Sequence, residues 1–106
     1  MDDSIIVVQC TVPTKQEAKK IARILIEKRM AACCSIIPNI HSIYHWQNEI
    51  EESEEVLVLI KTKAKLYQQL EKEIKMIHSY AVPEIISIAI NGASSAYIDW
   101  IKNVTN

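Results

Sequence analysis

The chain has 106 residues, 49 % of them hydrophobic and 24 % charged, with a formal net charge of −1. That is the make-up of one globular domain over residues 1–106, long enough for a real core, and with no basic stripe it argues against nucleic acid as the main partner. The single glycine, Gly92, excludes glycine-rich phosphate loops and dinucleotide-binding fingerprints, while three cysteines without a CxxC pair make neither a disulfide framework nor a zinc ribbon.

Asp2 and Asp3 precede the first apolar run. A secretory signal starts basic and runs longer, and no apolar run approaches the roughly 18 residues of a membrane span. A cytoplasmic location without membrane insertion is therefore expected. Residues 5–12, closed by Pro13, read as a strand with Ile6, Val8, Cys10 and Val12 on one face and Ile5 and Val7 on the other. Two apolar faces mark a central strand. Thr14 then opens a helix through a capping box with Glu17. Ala18, Ile21, Ala22 and Leu25 line its inner side, and its end is expected near Arg29 or Met30.

Residues 33–62 read as two long strands joined at a polar tip, Gln47-Asn48. Such a ribbon is roughly 45 Å long, whereas a compact domain of this length is only about 33 Å across. The hairpin must overhang its own domain. Pro38 interrupts the first strand and marks an edge or a bend. Beyond it Ile40, Ser42, Tyr44 and Trp46 share one face, and His41, Ile43 and His45 the other. Residues 63–78 form a second helix, with Leu66, Leu70, Ile74 and Ile77 inward and the pairs Gln69–Glu73 and Glu71–Lys75 outside. Residues 84–90 are the last strand, Asn91-Gly92 a turn, and residues 94–103 a short helix with Tyr97, Trp100 and Ile101 on its apolar side.

The order βαββαβ is the split βαβ pattern of an α+β fold. Right-handed crossovers place both long helices on one side of the sheet. The other side is then apolar and uncovered, a patch larger than monomers tolerate. Sheet-to-sheet packing against further copies is the expected remedy.

Five blocks carry a resemblance: M-A-A-C-C-S-I-I-P, S-I-Y-H-W, E-E-V-L-V-L-I-K-T, H-S-Y-A-V-P-E-I and A-Y-I-D-W. Together they run from Val8 to Trp100, and the chain resembles the CutA family of divalent-cation tolerance proteins. The resemblance implies a ferredoxin-like fold and a tight homotrimer with strands paired across subunits, an architecture like that of PII signalling proteins. Asn39 and Asn48 stand where the family usually has glycine, and asparagine is the residue that next best accepts a positive φ. Ala81 replaces a family acid, which removes one carboxylate from any cation role.

The resemblance also implies candidate metal ligands, Cys10 and His78; a thiolate with an imidazole suits copper or zinc. The plain alternatives are a buried apolar thiol and a histidine favoured by a helix C-terminus. Tyr44, Trp46, Lys61, Tyr80 and Glu84, which the family tends to share, are candidates for an inter-subunit cleft that takes a small anion or metabolite. The alternative for them is trimer packing, with Lys61 paired to an acid. His41 and His45 stand about 13 Å apart on a strand and cannot share an ion. Cys33 and Cys34 point to opposite faces. Glu49, Glu51, Glu52, Glu54 and Glu55 read as solvated charge that protects a strand from mispairing. No catalytic triad or cofactor motif is present, so a non-enzymatic protein is expected, with no obligatory cofactor and copper or another divalent metal as the ion to consider. The competing expectation is a PII-like signalling or scaffold trimer.

Overall fold

The computed structural model describes residues 4–106; Asp2 and Asp3, on which the cytoplasmic expectation leaned, lie outside the described residues. The elements are β1 (Ile5–Val12), α1 (Lys15–Glu27), β2 (Cys33–Trp46), β3 (Glu49–Lys63), α2 (Tyr67–Ile77), β4 (Ile85–Ala89) and α3 (Ser95–Val104), with a 3-10 turn at Ala64–Leu66 leading into α2. The strands form one antiparallel sheet in the order β2-β3-β1-β4. This is the expected α+β, ferredoxin-like βαββαβ arrangement. No helix among the described residues is long and apolar enough to cross a membrane.

Alternation on the two central strands builds the core. Ile6, Val8, Cys10 and Val12 of β1 and Val56, Val58 and Ile60 of β3 face Ala18, Ile21 and Leu25 of α1 and Leu70 and Ile74 of α2. Each fully buried aliphatic side chain of this size contributes roughly 1.5–3 kcal/mol. Thr14 caps α1 by accepting the Glu17 N–H at 3.1 Å. The reciprocal arm of the capping box is spent elsewhere: the Glu17 carboxylate accepts the N–H and hydroxyl of Ser79 at 2.9 and 2.8 Å. The helix stops at Glu27, earlier than expected, because Arg29 adopts a left-handed φ of 57°. On α2 the Glu71–Lys75 pair forms at 2.8 Å. Glu73, expected outside opposite Gln69, is instead buried, and its carboxylate is held by Lys28 Nζ at 2.8 Å.

The hairpin extends the molecule to 44 × 26 × 24 Å. Its register jumps from Ile37 opposite Leu57 to Ile40 opposite Glu55, so Pro38 and Asn39 form a bulge in edge strand β2, with Asn39 at φ 65°. At the tip Gln47 and Asn48 both have positive φ, 52° and 67°, the geometry of a type I′ turn. Asparagine then glycine is the preferred pair there. A Gln47→Asn, Asn48→Gly variant is expected to gain about 1 kcal/mol of stability. Urea denaturation at fixed protein concentration checks this; an unchanged or lower midpoint would refute it.

The face of the sheet away from α1 and α2 carries Val7 and Gln9 of β1, Leu57, Leu59 and Lys61 of β3, and Ile86 and Ile88 of β4, neighbours by register. The short α3 covers only one end, where Ile101 is fully buried and Tyr97 reaches Cys33. Ile86 and Ile88 remain 48 % and 45 % exposed.

Candidate functional site

Cys10 lies on the helix side of β1 and has no solvent exposure. Burial pushes its pKa up to about 12, and the carboxylates of Glu84, Glu17 and Glu55 add to the shift. The thiol is therefore protonated at neutral pH, and its sulfur sits 3.8 Å from the Thr11 carbonyl.

His78 caps the end of α2, its N–H donating to the Ile74 carbonyl at 2.9 Å. Its ring is wholly buried. Nδ1 accepts the Tyr80 N–H at 3.0 Å, and Nε2 lies 2.8 Å from the Thr11 carbonyl. This pattern fits the Nε2–H tautomer, with Nε2–H donating to Thr11. Glu17 Oε2 stands 3.5 Å from Nδ1. The fold thus brings Cys10 and His78 to one carbonyl, but both ring nitrogens are already used. Among the described residues no group of three His, Cys, Asp or Glu side chains gathers to hold a metal ion.

Next to this pair, the Tyr80 hydroxyl donates to Glu55 at 2.8 Å. Burial, then that hydrogen bond, raises the Tyr80 pKa, with Tyr44 close enough to add to the shift. Glu55 departs from the expectation of solvated charge: it is only 7 % exposed. Its alternation partner Leu57 was the sequence signal, since it places Glu55 on an apolar face. Gln9 Nε2 donates to Glu84 at 3.0 Å, and the Tyr44 hydroxyl lies 3.2 Å from Ser53 Oγ. Glu17, Glu55, Tyr80 and His78 together tie α1, β1 and β3 to the segment of residues 78–84.

The candidate cleft residues do not all meet in one chain. Tyr44, Tyr80 and Glu84 lie toward one end of β1. Trp46 stands at the hairpin tip opposite Glu49, partly exposed. Lys61 is six residues along β3 from Glu55, about 20 Å away. Its Nζ contacts Ser35 Oγ at 2.5 Å and Cys33 Sγ at 3.7 Å rather than an acid. His41 pairs with Glu52 at 2.7 Å, and His45 lies opposite Ile50, so the two histidines share no ion. Cys33 and Cys34 are free thiols. Burial raises the pKa of Cys34 to about 12. Glu17, Glu55, Ser35 and Tyr97 are the contributors that sequence reading missed as site residues.

The pattern of the CutA1 divalent ion tolerance protein family matches residues 6–104. The divalent-cation tolerance protein CutA of Thermus thermophilus is 41 % identical over 99 residues, covering 93 % of this chain and 96 % of that protein. Protein CutA of Homo sapiens is 42 % identical over 95 residues, 90 % of this chain, which spans only about half, 53 %, of that relative. The crystal structure of CutA1 from Oryza sativa superposes with a TM-score of 0.95 at 38 % identity, covering 99 % of this chain and 96 % of that one. With a family pattern over residues 6–104 and relatives that match nearly the whole chain in sequence and in backbone, the chain belongs to the CutA1 divalent ion tolerance family.

Proposed function

We propose that the protein acts in the cytoplasm as a homotrimer that serves divalent-cation tolerance. The observation that carries the assembly is the open sheet face, apolar from β3 to β4 and covered by α3 at one end only, beside a hairpin that overhangs the domain. Surfaces of this kind are stable in water when another chain lies on them. Light scattering at micromolar concentration is expected to give three times the 12.1 kDa of the chain. A particle of one chain mass would refute the trimer.

Copper or another divalent metal would find Cys10 and His78 as its thiol and imidazole donors. Binding there requires the thiol to lose its proton and the ring to leave Thr11 or Tyr80, so the proposal is weak, direct binding rather than a resident metal. Copper titration is expected to show low-affinity uptake that Cys10→Ala and His78→Ala each reduce. Identical traces for all three proteins would remove direct binding at this pair.

A second reading is a PII-like trimer that presents inter-subunit clefts to a small effector or protein partner. The polar and aromatic grouping of Tyr44, Tyr80 and Glu84 favours it, as does Lys61, which pairs with no acid among the described residues. A metabolite thermal-shift screen separates the readings: an organic anion that raises the melting temperature where metals do not supports the second.

A further inference from the structure

Among the described residues Lys61 carries a charge that no acid answers. It is half-buried at that end of the open sheet face which α3 covers, and among the described residues no carboxylate pairs with it. Its ammonium donates to Ser35 Oγ and to Cys33 Sγ. Cys33 lies directly opposite Lys61 in the ladder, and Ser35 is two residues on along the same face of β2. From the other side α3 brings the phenol of Tyr97 onto the Cys33 sulfur. Burial and that contact raise the Tyr97 pKa, so the phenol stays a donor. Tyr97 in turn packs against Trp100, with ring centroids 5.5 Å apart.

The group therefore holds one cation, two hydroxyls and a thiol, drawn from three elements, and no acid. Ser35 accepts from Lys61, and its Oγ also lies 3.9 Å from Cys33 Sγ, so with the thiol donating to it the Ser35 O–H can turn to a ligand. A partly desolvated cation is poorly stabilised without a counter-charge. A compact ammonium beside several donors suits an anion with three acceptor oxygens. We propose that Lys61, with Ser35, Cys33 and Tyr97, forms a binding site for a small oxyanion of the phosphate class. This deepens the effector reading above by naming the ligand's chemistry, and it places the site around Lys61 rather than around Tyr80.

The test uses the full chain and inorganic phosphate, against sodium chloride at matched ionic strength. Phosphate, and not chloride, is expected to raise the melting temperature of the wild type, as any ligand of the folded state does. Lys61→Gln is expected to weaken phosphate binding about tenfold or more in equilibrium dialysis, and Tyr97→Phe by a smaller factor. Should Lys61→Gln fail to fold, Ser35→Ala combined with Tyr97→Phe must show the loss instead. Absence of a phosphate-specific shift in the wild type overturns the site, as does an undiminished response in these variants. A carbodiimide cross-link from Lys61 to a carboxylate of a second copy also overturns it, because the counter-charge then belongs to the assembly. An organic effector that shifts the wild type and Lys61→Gln equally leaves the effector reading standing and this site refuted.

Discussion

An Ile86→Asp, Ile88→Asp double variant is expected to run as a single 12.1 kDa chain under conditions where the wild type runs at three times that mass. Both side chains lie on the open sheet face of β4, an edge strand, and both are nearly half exposed in the isolated chain. Neither belongs to the core built by β1, β3, α1 and α2. The chain's own fold should therefore survive, with an unchanged far-ultraviolet circular dichroism spectrum. In an assembly each isoleucine would bury its remaining surface, a loss of roughly 1 kcal/mol per side chain when removed. A carboxylate left unpaired in the same contact costs several kcal/mol more. Those terms recur at every subunit contact, so the sum exceeds what a small interface can tolerate. A double variant that keeps the wild-type mass would show that subunits do not meet on this face.

The open face was legible in the sequence because it depends on alternation alone. Ile5, Val7, Leu57, Leu59, Ile86 and Ile88 show the period of two on strands whose neighbours are fixed by the βαββαβ order. The hairpin was legible for the same reason, and Asn39 and Asn48 show the positive φ expected of the residues that replace glycine. What the sequence did not show were polar pairings between distant segments. Glu73 looked like an exposed helix residue, yet Lys28, just past the end of α1, reaches across to hold it. Glu17 looked like half of a capping box, yet Ser79, 62 residues away, takes its carboxylate. His78 read as a metal donor or a helix-end cation, and nothing in the spacing showed that its ring also ties its own loop to β1. Such contacts follow no period. They depend on which loops the packed helices bring together, and only the folded chain states that.

Between pH 9 and about 12, stability is expected to fall by about 1.4 kcal/mol per pH unit for each of Cys10 and Cys34. In the unfolded chain both thiols ionise at the ordinary value of 9.0; in the folded chain burial holds them protonated to about 12. For Cys10 the nearby carboxylates act in the same direction, and for Cys34 the neighbouring Cys33 adds while Lys61 opposes. Over this window the unfolded state binds fewer protons than the folded state, so stability decreases as pH rises. Below pH 9 both states keep the protons and the thiols contribute no slope. Tyr80, whose pKa burial and Glu55 raise, adds loss of the same sign from about pH 10 upward. The cysteine share is isolated by comparing slopes rather than absolute stabilities. Urea denaturation of Cys10→Ala and Cys34→Ala, at fixed protein concentration across pH 9–11, should each recover about 1.4 kcal/mol per unit. A variant with the wild-type slope would mean that its thiol is not held protonated by the fold. The same proton bears on metal uptake. Copper that takes the Cys10 sulfur must displace it, so any binding at Cys10 and His78 should tighten as the pH rises, over the same range in which the fold itself weakens.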